Sequence, residues 1–176
     1  AEILGHKTLS MVKRYAHLTE QHTSEVVARM NDLGMLIDVS HASDDSFYDA
    51  IEKSRAPIIA SPSCARATCD NPRNLSDEML LKLKENGGVI QMCILSAYVK
   101  TPDPNPQRDS ARAAVREKHG NYYELDDAGR EAFIVDWYAV DRDFPRKLAT
   151  VSDAVDHIDH IVELIGIDYV GIGTDF

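Results

Sequence analysis

A few residues in this 176-residue chain are of types that carry chemistry. His41 closes the run Met35-Leu-Ile-Asp-Val-Ser-His41, and an imidazole at such a position can bind a metal ion or move a proton near neutral pH. Arg73 lies in Asp70-Asn-Pro-Arg73-Asn-Leu75; its planar fork of N–H donors suits an anion such as a carboxylate. Asp175 ends Val170-Gly-Ile-Gly-Thr-Asp175, where a carboxylate can pair with His41 in metal or acid–base work. His157 and His160 are three residues apart, a spacing that binds metal only if a third ligand joins them. Each has a plainer competitor: a His satisfied by a backbone partner, an Arg in a surface ion pair, an Asp capping a turn. Cys64, Cys69 and Cys93 show no CxxC spacing. They read as reduced thiols, or at most one disulfide.

The elements that must position these residues follow from periodicity. Helical stripes are expected over Thr19–Leu33 (Val26, Val27, Met30, Leu33), around Phe47, Ala50 and Ile51, from Ser76 to Asn86, over Leu125–Leu148 and over Ser152–Ile165, each with apolar residues recurring at three and four positions. Short apolar runs near 35–40, 57–61, 88–94 and 168–174 read as strands buried on both faces, because parallel sheets are covered by helices on each side. Alternation of strand and helix implies right-handed crossovers and a parallel sheet. His41, Ser61-Pro62-Ser63, Gln91-Met92-Cys93 and Thr174-Asp175 then fall at strand C-terminal ends, where α/β proteins place their chemistry. Residues 96–123, with Pro102, Pro104 and Pro106, read as a long loop with a short charged helix near Ser110–Lys118, functional or mobile as such loops usually are.

Composition narrows the function. With 44% hydrophobic residues the chain can bury a core, and its formal net charge of −10 disfavours nucleic acid and anionic membranes. Neither a bilayer-spanning run nor a signal-peptide pattern is found in the sequence, so a cytoplasmic location is expected by default.

The first eighteen residues contain Leu4-Gly-His6 and Arg14-Tyr15-Ala-His17. This stretch closely resembles the C-terminal active-site segment of tyrosine recombinases (phage integrases), and the resemblance implies His6 as an active-site residue and Tyr15 as the nucleophile. A Tyr nucleophile attacking phosphate needs positioned cations, and the arginines that serve this role in the family are not among these residues. The plain alternative is an amphipathic helix.

Residues 25–95 and 151–176 resemble the membrane dipeptidase (renal dipeptidase, peptidase M19) family. The matching pieces are Arg29-Met-Asn-Asp-Leu-Gly-Met-Leu-Ile-Asp-Val-Ser-His41-Ala-Ser-Asp44, Ala56-Pro-Ile-Ile-Ala-Ser61, Cys69-Asp-Asn-Pro-Arg73-Asn-Leu75, Glu85-Asn-Gly-Gly-Val89 and Val170-Gly-Ile-Gly-Thr-Asp175-Phe176. The resemblance implies a (β/α)8 barrel, two zinc ions and dipeptide hydrolysis by a metal-activated water. It implies His41 as a zinc ligand, Arg73 as the holder of the substrate carboxylate and Asp175 as a residue of substrate binding and proton handling. Where the family has a second zinc-ligand His in Ser-His-Ser, this chain has Ser61-Pro62-Ser63. The family's N-terminal half, with its His-x-Asp pair, bridging Glu and further His, has no counterpart here. The expected fold is therefore a partial (β/α)8 barrel of about four parallel βα units at 25–176, with a long insertion at about 96–150. A recombinase-like helix at 1–24 precedes it, as in a fusion of two gene fragments. The expected function is a zinc dipeptidase fragment, inactive alone because most metal ligands are missing. A partner or a second copy supplying the other half of the barrel would complete it. The alternatives are a non-catalytic remnant and a recombinase piece. Because the charge balance repels DNA and Tyr15 lacks stabilising cations, no covalent adduct with DNA is expected; a protein–DNA adduct lost in Tyr15→Phe would show the opposite.

Overall fold

In this computed structural model residues 20–174 are described. The expected helix carrying His6 and Tyr15, and Asp175, lie outside the described residues. The sheet is built from β1 (Ile59–Ser63), β2 (Val89–Cys93) and β3 (Val170–Gly173), in the order β1-β2-β3 and parallel throughout. Strand order follows chain order, as consecutive βα units require.

The run at 35–40 extends this sheet by less than expected. It joins β1 through a single parallel bridge, Asp38 to Ile59, with Val39 N–H donating to Ile59 O at 2.8 Å and Ile59 N–H to Ile37 O at 2.9 Å. It is not buried on both faces. Ile37 and Val39 are buried, whereas Met35, Leu36 and Asp38 are exposed. The period of two marks an edge segment with one face on the core.

Helices α1 (Glu20–Asp32), α2 (Asp44–Lys53) and α3 (Asp77–Asn86) alternate with these strands, and a further helix over Val151–Ile165 leads into β3. Their ends are set by local chemistry. Ser43 and Ser76 accept hydrogen bonds from Ser46 N–H and Met79 N–H at the starts of α2 and α3, and Thr150 forms a reciprocal capping box with Asp153, satisfying donors the helix itself cannot. Gly87 ends α3 in the left-handed region, φ 78°, a conformation glycine adopts without cost. Phe47, Ile58, Ala60, Leu80, Leu83, Ile90 and Ile161 are all at most 1% exposed and share one core. Burying a side chain of this size stabilises the fold by roughly 1.5–3 kcal/mol.

His157, fully buried, is a structural residue. Its Nδ1 accepts from Ala65 N–H at 3.1 Å and its Nε2–H donates to Val99 O at 2.9 Å. Both ring nitrogens are spent, in the neutral tautomer. His160 turns away to Asp77, Nε2 to Oδ1 2.8 Å. The two histidines therefore form no metal pair; α-helical spacing placed them near each other, and separate partners claimed them.

The chain divides into two compact units, and the second comprises Pro102–Ala149. The expected loop at 96–123 is largely helical: α4 (Ser96–Val99) belongs to the first unit, and α5 (Pro106–His119) and α6 (Asp127–Asp143) form the second. Pro106 takes the first helical turn, where its missing N–H is harmless, and Asn105 caps by accepting from Arg108 N–H at 3.0 Å. The proline run thus marks the entry to a helix. Arg108 and Arg112 both pair with Asp141, and the Arg112 guanidinium lies 3.4 Å from the Trp137 ring centroid. The helix preceding β3, Val151–Ile165, is α7.

Burial holds the His157 imidazole below its ordinary value of 6.5, the Val99 hydrogen bond opposing this more weakly. The folded chain then binds fewer protons than the unfolded chain between the lowered value and 6.5. Its stabilisation is complete above pH 6.5 and is lost as pH falls through the lowered value. Urea midpoints are expected to drop with acidification below about pH 6.5, with a slope of at most about 1.4 kcal/mol per pH unit for this proton. His157→Gln, which cannot titrate, should flatten that part of the profile.

Candidate active site at the strand ends

The site starts from Asp38. Its Oδ1 accepts from Ser40 N–H at 2.8 Å, Ser40 Oγ–H at 2.6 Å and Ser61 N–H at 3.4 Å, so one exposed carboxylate stitches the end of the 35–40 run to the end of β1. The chain then turns at His41, which holds φ 59°, a conformation uncommon for a residue with a side chain. His41 Nδ1 lies 3.2 Å from Arg73 O. A carbonyl oxygen only accepts, so Nδ1 carries the proton and in the neutral ring Nε2 keeps its lone pair. Orienting an imidazole in this way through a backbone carbonyl is how ligating histidines are usually prepared.

Arg73 lies beside it. Its carbonyl also accepts from Ser63 Oγ–H at 3.4 Å, and its N–H donates to Asn71 Oδ1 at 3.0 Å. Its side chain is exposed, and no ion pair engages it among the described residues. The guanidinium lies 5.5 Å from the centroid of the Tyr98 ring. The same ring stacks on His41, centroids 4.8 Å apart and planes inclined by 22°. The structure therefore brings His41 and Arg73 together across 32 residues and one intervening helix–strand unit.

Around them, Ser61 Oγ–H donates to Gln91 Oε1 at 2.7 Å, and the Ser61–Pro62 peptide is cis. Arg66 braces the loop that carries Arg73. It grips Asp44 with two bonds of 2.8 and 2.7 Å, and reaches Asn74 O at 2.9 Å and Pro72 O at 3.1 Å. Its charge and hydrogen bonds hold the Asp44 carboxyl below the usual carboxylate range. Asp38, Arg66, Gln91 and Tyr98 were not identified as site residues from the sequence. The Arg66–Asp44 pair links positions twenty-two apart, and Tyr98 stands in a stretch that reads as loop.

The donors present can be weighed against the metal centre implied by the sequence resemblance. His41 Nε2 is available. Pro62 has no side-chain donor. Cys64 is fully buried, its thiol pushed up to about 12, first by burial and then by its Cys93 neighbour, so it stays protonated and is no ligand at neutral pH. Among the described residues no three His, Cys, Asp or Glu side chains converge on a common point. A catalytic zinc normally takes three protein ligands. The described donors do not fit a dinuclear zinc centre.

A parallel βα sheet with His and Arg gathered at its strand ends defines a partial (β/α)8 barrel with its site on the usual face. Comparison with known proteins agrees. The sequence profile of the membrane dipeptidase family (peptidase family M19) matches residues 7–176, and the chain belongs to that family. It is 31% identical over 152 residues to an uncharacterised dipeptidase of Schizosaccharomyces pombe, covering 86% of this chain and 26% of that protein. It is 32% identical to dipeptidase 3 of Rattus norvegicus, covering 86% of this chain and 22% of that one. Among solved structures it superposes on the probable dipeptidase PvdM from Pseudomonas aeruginosa with a TM-score of 0.67 at 31% identity, over 87% of this chain and 41% of that chain. The chain thus spans about a quarter of the length of the curated relatives it matches.

Gly173 shows how little space the strand ends leave. A Cβ there would lie 2.9 Å from Gln91 Cβ and 3.3 Å from Ser61 Oγ. Gly173→Ala should destabilise the chain by about 1–3 kcal/mol, the usual cost of overpacking, read as a lower urea midpoint with an unchanged slope.

Proposed function

We propose that this chain is the C-terminal half of a zinc-dependent dipeptidase barrel and supplies the carboxylate-binding side of its site. Arg73 would receive the carboxylate of a dipeptide. His41 would offer Nε2 as one metal ligand, and Asp175 would take part in substrate binding and proton handling. The observation that carries this reading is the pairing of an exposed Arg73 guanidinium with a His41 imidazole whose Nδ1–H is held by a backbone carbonyl, on one aromatic backing. Hydrolysis by the parent fold uses metal-activated water. With Pro62 at the second His position the chain does not turn over alone, and a partner or second copy bearing the other ligands would be required. Residues 102–149 we read as an insertion in the barrel.

A non-catalytic remnant of a gene fusion is the second reading, favoured by Pro62 itself. The recombinase-like segment at residues 1–24 would then be an appended helix in which His6 and Tyr15 do no DNA chemistry, in keeping with the net charge of −10.

Zinc titration by calorimetry and a dipeptide assay, run on the unmodified chain and on Pro62→His, separate the cases. The unmodified chain should bind zinc weakly and hydrolyse dipeptides no faster than a blank. Pro62→His should tighten zinc binding by roughly tenfold or more, the usual effect of one shell partner, before any rate appears. Stoichiometric zinc and measurable turnover in the unmodified chain would overturn the proposal.

A further inference from the structure

We propose that Tyr98 is a positioning residue: its ring, on a pedestal clamped from outside, holds His41 and Arg73 in one arrangement. For its functional meaning this rests on the proposed role of those two residues; its structural content does not.

The argument begins with α4, which has only four residues, Ser96–Val99. One turn of helix is not stable on its own, and its last carbonyls have no intrahelical partners. Here three consecutive ones are each taken by a side chain from elsewhere. Asn71 Nδ2–H donates to Ala97 O at 3.0 Å, Asn74 Nδ2–H to Tyr98 O at 2.8 Å and His157 Nε2–H to Val99 O at 2.9 Å. Asn74 is 1% exposed and His157 fully buried, so the second and third of these bonds are shielded from water and costly to break; the Asn71 bond is exposed. Tyr98, 8% exposed, is therefore fixed at its backbone.

Asn71 and Asn74 flank Arg73 on the same loop. The loop that presents Arg73 is the clamp that fixes Tyr98, and the Tyr98 ring in turn lies against the Arg73 guanidinium and the face of His41. An aromatic face attracts a cation and stacks on a neutral imidazole. A buried apolar side chain of similar size would fill the same space with no preference for either. His41 is the residue that most needs such support, because its backbone sits at positive φ and its Nδ1 bond to Arg73 O is long at 3.2 Å.

The test uses the full chain labelled with nitrogen-15 and carbon-13 at histidine and arginine. In the unmodified chain, with the imidazole neutral, spectra should show one tautomer, protonated at Nδ1. The ring protons of His41 should be shifted upfield by the Tyr98 ring current. Tyr98→Phe, which keeps the ring, should preserve both. Tyr98→Leu should give mixed tautomers, return the ring protons to ordinary positions and weaken binding of the probe L-alanyl-L-alanine, followed at Arg73 Nε, by about tenfold, the size of a good stacking contribution. A single Nδ1–H tautomer retained in Tyr98→Leu would overturn the proposal. So would the absence of an upfield shift in the unmodified chain, a measurement that needs no variant to fold. If the unmodified chain fails to bind the dipeptide while Tyr98→Leu still scrambles the His41 tautomer, positioning stands and the carboxylate-binding role of Arg73 falls.

Discussion

Three carbonyl oxygens at the end of a single helical turn hold this site together. Those of Ala97, Tyr98 and Val99 would be orphans in a free turn, and burial would make the last two expensive. Asn71, Asn74 and His157 take one each. The first two come from the loop after β1 and the third from α7, so the end of β2 is tied to its neighbours on both sides. Through Tyr98 the same arrangement supports His41 at the end of the first βα unit. Three successive units are thus joined at their C-terminal ends by side-chain to backbone bonds and a ring stack, with the apolar core of Phe47, Leu80, Ile90 and Ile161 beneath them.

His157 illustrates how an ionisable group can serve such a structure by never ionising. Its two bonds, accepting from Ala65 and donating to Val99, require the neutral ring, and burial favours that form. The price is a dependence on pH that an amide in the same place would not show. At the strand ends the logic is reversed. His41 is half-exposed, its Nδ1–H is spent on a carbonyl, and its second nitrogen has no protein partner in the bonds it makes among the described residues. One histidine is closed and the other open, and only the open one has the form of a ligand.

Membership of the membrane dipeptidase family and a donor set that, among the described residues, does not fit two zinc ions are compatible facts. Fold and site are separable: a barrel strand keeps its pairing through backbone bonds whatever its end residue, while a metal centre depends on each donor in turn. With Pro62 in it, β1 stays paired with β2 from Ile59 to Ser63, and proline offers a metal no side-chain donor. Arg73 and its supports are untouched by that change, since they draw on Asn71, Ser63 and Tyr98.

How much of this was legible in the chain itself follows from where the information lies. Alternating apolar runs and caps such as Ser43 and Ser76 act over a few residues, so the parallel βα order and those helix starts could be read directly, whereas the last helix, expected from Ser152, begins at Val151 behind the cap Thr150. His41 and Arg73 stood out because their types and neighbouring residues are distinctive. The sequence also placed them at strand ends, hence on one face. It did not disclose what holds them. Whether the 35–40 run is covered on one face or two depends on what packs against it. The proline-rich stretch was read as loop because Pro106 signals a break as readily as a helix start. His157 and His160 looked like a pair because spacing records angle on a helix and says nothing about partners. The bonds between Asn71, Asn74 and α4, the stack of Tyr98 on His41 and the grip of Arg66 on Asp44 join positions between twenty-two and fifty-seven residues apart. Contacts of that span exist only once burial has brought separate elements together, and for that reason tertiary structure alone decided them.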